Sequence, residues 1–179
     1  MKILRNNLKS ELNIRTQKDY PIKGIEFIDI IPLLMQRDTL TEIIDKFVDR
    51  IKDEDIDYIV SPEARGFLFG VAVAEKLKIG FIPVRKKGKL PPETVETEFS
   101  YEKEYGKDFL ELPKLVEGDY VGKKFYIIDD IYATGNTVQA IKQAIEKLGG
   151  KVMGTGVVMN IVELNNDKDI FSLIEVNEE

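Results

Sequence analysis

From Tyr58 onward, short apolar runs alternate with stretches in which apolar residues return every three or four positions. Phe125-Tyr126-Ile127-Ile128 is an uninterrupted run of β-formers, the pattern of a strand covered on both faces, and Val138 to Leu148 then carries its apolar residues at helical spacing. The same alternation predicts a strand over Tyr58 to Val60, a helix after Gly66 to about Leu77, a strand over Ile79 to Val84 and a final apolar strand over Lys151 to Val162. Ahead of these, Leu4 to Ile14 reads as an amphipathic helix, the segment through Asp29 as a loop with proline and glycine, and Leu40 to Ile51 as a second helix. Strand and helix in this order predict βαβαβ connectivity and a parallel sheet, an α/β fold without repeats or low-complexity tracts. Lys86 to about Phe99 is polar and carries two prolines, so it reads as a long structureless loop. Loops of that length inside a compact domain are usually functional, and a lid over a site is the expectation.

A chain of 179 residues with 43% hydrophobic content supports one domain around one sizeable core. It contains neither cysteine nor histidine, which excludes disulfides, thiolate–zinc sites and Ser-His or Cys-His nucleophilic machinery. Acid–base chemistry therefore falls to Asp, Glu, Lys or Tyr. The first residues lack a long apolar core, and nowhere do eighteen apolar residues run together, which predicts a cytoplasmic protein with neither signal peptide nor membrane span. A net charge of −6 argues against a general nucleic-acid binder. Arg85-Lys86-Lys87-Gly88-Lys89 nonetheless gathers four cations within five residues. Alone, such a run is a solvated loop. Following a strand end on the same side of the sheet as the Asp129 turn, it suits a pyrophosphate.

Asp129 to Thr137 forms a strand-to-helix turn at the carboxyl end of a parallel strand, where α/β sheets bind ligands. Ala133, Thr134, Gly135, Asn136 and Thr137 bring backbone N–H groups and two hydroxyls to a helix N-terminus, whose partial positive charge favours a monophosphate. No Gly-Lys-Ser/Thr follows, so this is not the triphosphate-binding loop. The paired acids Asp129 and Asp130 suit the cis hydroxyls of a ribose, held directly or beside a magnesium ion. The short string Asp-x-x-x-Thr-Gly would equally be a turn and helix cap. Strand, acids, loop and helix together point to a sugar phosphate.

The thirteen residues Phe125 to Thr137 resemble the phosphoribosyl pyrophosphate (PRPP) signature of the type I phosphoribosyltransferases. Asp19 to Leu34, Glu63 to Gly70, Pro83 to Pro91 and Tyr101 to Gly106 extend the likeness, which runs from about Asp19 to about Glu163 and is strongest to the adenine-using branch. The resemblance implies a type I phosphoribosyltransferase fold, with a central, mostly parallel sheet flanked by helices. It implies one domain over residues 1–179, with an N-terminal hood over about 1–35 that contributes to a base pocket and a flexible lid loop over about 86–105. It further implies PRPP and adenine as substrates, AMP and pyrophosphate as products, Mg2+ carried by PRPP, and a homodimer.

In that reading Ala133 to Thr137 grip the 5-phosphate, while Asp129 and Asp130 orient the ribose. Arg65, Lys86 and Lys89 face the departing pyrophosphate, where cations act on charge that develops in the transition state, and Arg85 reaches a neighbouring subunit's site. Arg65 follows Glu63-Ala64, where the family has a loop, often with a cis non-proline peptide, that aims N–H groups at pyrophosphate. Glu104 is the catalytic acid opposite the purine N7. Under a closed lid its pKa would rise toward neutrality, suiting it to share a proton. By residue type alone Glu104 is one of three nearby acids, with Glu98 and Glu102. Tyr105 closes over PRPP. Phe27 stacks on the base and the backbone at Glu26 and Ile28 reads its 6-amino edge. Met159 or Ile161 would be either the pocket's other wall or ordinary core.

Two departures from the family pattern stand out. Phe27-Ile28-Asp29-Ile30-Ile31-Pro32 replaces the usual Phe-Arg-Asp-Ile-Thr-Pro, and Asn136 stands where a second glycine is common. Asn tolerates positive φ better than other side chains, so the phosphate loop is expected to survive. The isoleucines keep open a second reading, phosphoribosyl transfer to hypoxanthine, guanine or xanthine, because small pocket changes switch the preferred purine. A third is a PRPP-sensing regulator without catalysis. The acidic charge, the lack of an appended DNA-binding segment and the retained Glu104 weigh against it.

Overall fold

The computed structural model describes residues 1–103 and 106–177, with Glu102 and Lys103 described by their backbone alone. The chain runs β1 (Lys2–Asn6), β2 (Arg15–Lys18), β3 (Glu26–Asp29), α1 (Ile31–Met35), α2 (Arg37–Ile51), β4 (Tyr58–Pro62), α3 (Gly66–Leu77), β5 (Gly80–Lys86), β6 (Val95–Lys103), β7 (Gly106–Pro113), β8 (Lys124–Tyr132), α4 (Asn136–Lys147), β9 (Lys151–Ile161) and β10 (Ile170–Asn177). Among the described residues the main sheet has the order β1-β10-β9-β8-β4-β5-β7-β6. Its inner strands β10, β9, β8, β4 and β5 are parallel, while β1 and the β6–β7 hairpin join the edges antiparallel. A separate antiparallel pair, β2 and β3, lies within the segment expected as the hood, about 1–35, whereas β1 of that segment belongs to the main sheet.

The central strand β8 shows why the sheet has two cores. Tyr126 and Ile128 point to one face, among Phe47, Phe69, Val73 and Ile174, beneath α2 and α3. Phe125 and Ile127 point to the other, among Ile141, Ile145, Leu110 and Leu112, beneath α4 and beside the hairpin. This period-two partition of an all-apolar run is what a doubly covered strand requires. Met159 and Ile161 lie buried in the first core, which makes them core positions.

Several sequence expectations change, among them the loop through Asp29, within which β2 and β3 pair. Leu4 to Ile14 is not helical. Lys2–Asn6 instead takes ladder bonds from the edge of β10, and the Glu42 carboxylate accepts from the backbone N–H groups of Lys9 and Ser10 at 2.7 and 3.0 Å. Partners distant in sequence thus outbid a weak local preference. The polar stretch after Lys86 is not structureless, for a short turn leads into β6, where Val95, Thr97, Phe99 and Tyr101 alternate with charged or small polar residues. β10 was not foreseen, and β8 continues through Asp129 and Asp130 to Tyr132, which shortens the following loop.

Close approach of α3 to the sheet depends on glycine. A Cβ at Gly70 would lie 2.1 Å from Ser61 Oγ and 2.9 Å from the Phe81 ring. Gly70→Ala should therefore cost about 1–3 kcal/mol through overpacking, read as a lowered urea midpoint at unchanged slope.

Candidate active site

Neighbouring parallel strands β8, β4 and β5 end on the same side of the sheet, and each delivers part of one site. From β8 come Asp129 and Asp130, 8% and 4% exposed. Asp129 Oδ1 accepts from the Asp130 backbone N–H at 2.8 Å. Burial, and after it the Asp130 charge, push Asp129 well above the usual carboxylate range, with the Arg65 charge opposing. Asp130 Oδ2 lies 2.7 Å from Arg65 Nε, an ion pair without hydrogen-bond alignment, so this buried oxygen still lacks a bonded donor among the described residues.

From the end of β4 comes Glu63-Ala64-Arg65, with a cis Glu63–Ala64 peptide, and α3 begins directly afterwards. Gly66 permits that start, because a Cβ there would meet Asp129 Oδ1 and Pro62 at 3.0 Å. Arg65 also lies over the Phe27 ring, its Cζ 5.4 Å from the centroid. One guanidinium therefore bridges the acid pair and the hood.

From β5 come Arg85 and Lys86. The Glu63 carboxylate accepts from Arg85 Nε at 2.8 Å and from the Lys86 backbone N–H at 3.0 Å. Burial pushes Glu63 upward, but these bonds and the Arg85 and Lys86 charges outweigh it and hold its pKa below the ordinary value. Arg85 is thus engaged within its own chain. Lys86 and Lys89 are exposed, while Lys87 pairs with Glu98 at 3.0 Å. Beneath the turn, the buried Glu111 carboxylate on β7 accepts from Gly88 N at 2.9 Å and Leu90 N at 3.4 Å.

After β8, Ala133, Thr134 and Gly135 form the loop and Asn136 opens α4. Gly135 is the helix cap at φ +81°. A glycine cap leaves the first helical turn without a side-chain acceptor, the arrangement in which a helix N-terminus receives an anion. Asn136 is helical, not left-handed, so the positive φ falls on Gly135 and asparagine fits without strain.

The hood forms one wall of a cleft of about 630 Å3 lined by Phe27, Tyr20, Arg15, Asp29, Ile31 and Arg65, among others. Tyr20 meets Phe27 edge-on at 5.2 Å. Strand alternation turns Phe27 and Asp29 to the cleft and Glu26 and Ile28 away from it, Ile28 into the core. Arg15 bonds Asp29 Oδ2 through Nε at 3.0 Å and Nη2 at 2.8 Å, and Asp29 Oδ1 accepts from Ile31 N at 2.9 Å. Of the two isoleucine departures, only Ile31 presents its side chain to the cleft. Glu104 and Tyr105 lie outside the described residues.

Residues 33–176 match the phosphoribosyl transferase domain family. The chain belongs to the type I phosphoribosyltransferases. Adenine phosphoribosyltransferase of Clostridium acetobutylicum is 43% identical over 170 residues, 92% of this chain and 96% of that protein. The Clostridium botulinum enzyme of that name is 43% identical over 176 residues, 96% and 99% of the two chains. The crystal structure of adenine phosphoribosyltransferase from Thermoanaerobacter pseudethanolicus shares 39% identity at TM-score 0.82, covering 91% of this chain and 95% of the other. That from Saccharomyces cerevisiae, complexed with an imino-altritol bisphosphate and adenine, shares 34% at TM-score 0.76, covering 89% and 93%.

Within this phosphoribosyltransferase, Arg65, Asp129, Asp130 and Ala133 to Thr137 share one strand-end edge. Sequence reasoning passed over Glu63 and Glu111, whose carboxylates shape the basic segment. Glu63 opens the stretch Glu63 to Gly70 that carries part of the family resemblance. Glu111 alternates with Leu110 and Leu112 in a strand whose burial was the missing cue.

Proposed function

We propose that this chain transfers the 5-phosphoribosyl group of PRPP to adenine, giving AMP and pyrophosphate in purine salvage, and that it acts in the cytoplasm. The observation that carries the reading is the convergence of a glycine-capped helix N-terminus, a buried acid pair and Arg65 beside the aromatic hood cleft. The reaction passes through a cationic sugar while pyrophosphate gathers negative charge. Ala133 to Thr137 anchor the 5-phosphate and fix the reacting carbon. Asp129 and Asp130 accept from the ribose hydroxyls, Asp130 Oδ2 being the oxygen that lacks a bonded donor. Arg65, with the exposed Lys86 and Lys89, faces the leaving group.

Among the described residues no three His, Cys, Asp or Glu side chains converge as a metal cage. Two carboxylates beside a phosphate site fit a magnesium ion carried by PRPP, which Asp129 and Asp130 would hold. Such an ion supplies neutralising charge to the leaving group. Phe27 stacks on the purine, the backbone at Glu26 and Ile28 reads its edge, and Glu104 manages the proton at N7 while Tyr105 covers PRPP. The β6–β7 hairpin and the turn before it serve as the lid. A homodimer is part of this proposal, with the exposed Leu68 and Val71 of α3 and Met35 as its apolar surface; to reach the neighbouring site Arg85 would have to exchange its bond to Glu63 for one across the interface. No helix among the described residues is long and apolar enough to cross a membrane.

Pyrophosphate release from PRPP and magnesium, assayed with adenine, hypoxanthine, guanine and xanthine in parallel, tests the reading. Adenine should exceed the other bases by about a hundredfold or more, since a site that bonds one exocyclic group rejects its analogue. Glu104→Ala should lose turnover yet still bind ribose 5-phosphate. Preference for an oxopurine would transfer the assignment to that base and place the cause at Ile31. Silence on all four bases would leave a PRPP sensor.

A further inference from the structure

The connection from β9 to β10 lies against the phosphate loop from behind. Asn165 Nδ2 donates to Ala133 O at 2.9 Å, to Asn160 Oδ1 at 2.9 Å and to Ile161 O at 3.0 Å. Asn160 is buried and sits opposite Tyr132 in the β8–β9 register, so Asn165 joins the ends of both strands to the first residue of the loop. Two residues on, Asp167 Oδ2 accepts from the Tyr132 hydroxyl at 3.1 Å and, at a long 3.5 Å, from Gln139 Nε2 of α4. Its backbone N–H donates to Asn165 Oδ1 at 3.2 Å, and its Oδ1 accepts from Asp169 N at 3.0 Å. The Tyr132 hydroxyl in turn occupies the space beside Gly135, 2.2 Å from where a Cβ would stand.

We propose that Asn165 and Asp167 are positioning residues for the phosphate site: Asn165 fixes the entry of the loop at Ala133, and Asp167, through Tyr132, fixes its exit at Gly135. Asp167 is not itself a phosphate ligand, since a carboxylate repels that anion. Its part is to hold the phenol against which the glycine backbone rests. A loop whose N–H groups must converge on one anion gains affinity from being held in that shape before the anion arrives. Tyr132 ends the strand that carries the acid pair, but the bonds of Asn165 and Asp167 fall on Ala133 and Tyr132 and not on Asp129 or Asp130, so the brace should act first on the phosphate.

The inference rests on the proposed function only for the location of the phosphate, and its test needs no turnover. Ribose 5-phosphate binding to the full chain is measured by calorimetry for Asn165→Ala, Asp167→Ala, Asp167→Asn and Tyr132→Phe, each first shown to be folded by circular dichroism. Asn165→Ala and Asp167→Ala should each weaken binding about tenfold, the scale of one lost hydrogen bond. Asp167→Asn keeps an acceptor and should recover most of the loss. Tyr132→Phe should match Asp167→Ala, and the double variant should be no weaker than either, because both cut the same link. In turnover, KM for PRPP should rise with kcat and KM for adenine within about twofold of the parent. Unchanged ribose 5-phosphate affinity, or additive losses in the double variant, would overturn the brace. Failure of the parent to turn over adenine while still binding ribose 5-phosphate would count against the proposed function and leave this test intact.

Discussion

Gly135→Ala is expected to lower kcat/KM for PRPP about a hundredfold while leaving the fold in place. Two penalties coincide at this position. The backbone is left-handed, φ +81°, a conformation that costs a residue with a Cβ roughly 1–2 kcal/mol. The added methyl would also lie 2.2 Å from the Tyr132 hydroxyl, 2.5 Å from its Cζ and 3.0 Å from its Cε1. Tyr132 cannot swing aside, being 3% exposed and tied to Asp167. The loop must therefore move, and a misplacement of about 1 Å in a positioning element costs about a hundredfold in rate. Steady-state kinetics with PRPP and adenine varied separately check this. The loss should fall on PRPP, and equal losses on both substrates would place the damage elsewhere.

Asp129→Asn should make the protein more stable and a worse catalyst. In the folded chain Asp129 holds its proton to well above the ordinary carboxylate pKa, first because it is buried and then because Asp130 is adjacent. Between the unfolded value near 3.8 and the raised folded value, the folded state binds the extra proton, so stability falls as pH rises through that window. Asparagine removes this penalty and keeps an oxygen to accept from the Asp130 N–H. The melting temperature should thus rise at pH 8, by about 2–4 °C for each kcal/mol relieved, with the gain shrinking toward pH 4. Turnover should fall about ten- to a hundredfold, because in the proposed site the amide, unlike the carboxyl, cannot ionise to become a charged acceptor for the ribose hydroxyls. Calorimetric scans at several pH values, with kcat/KM beside them, decide it. A melting temperature lowered at pH 8 would contradict the burial argument.

What was legible in the sequence, and what was not, follows from where the stabilising partners lie. Phe125 to Thr137 could be read because strand, acids, loop and helix start are contiguous, and each is set by its own residues. The helix expected over Leu4 to Ile14 failed because Glu42 and the edge of β10, far away in the chain, satisfy that backbone. The strand β6 was hidden by its charges, although Val95-x-Thr97-x-Phe99-x-Tyr101 keeps the period of two. The brace of the phosphate loop was invisible for a further reason: Asn165 and Asp167 sit in polar sequence that no periodicity distinguishes from an ordinary connection.

The hairpin joins the main sheet through little more than Arg85 opposite Glu111 and Lys86 opposite Leu110, with one further bond from Lys87 N to Phe109 O. It is held a second time on α4, where Tyr101 of β6, 9% exposed, shares a core with Val138 and Ile141. The hairpin thereby ties the strand end that carries Arg85 and Lys86 to the helix that begins at Asn136, and because packed elements shift together, a displacement at one of these edges is felt at the other.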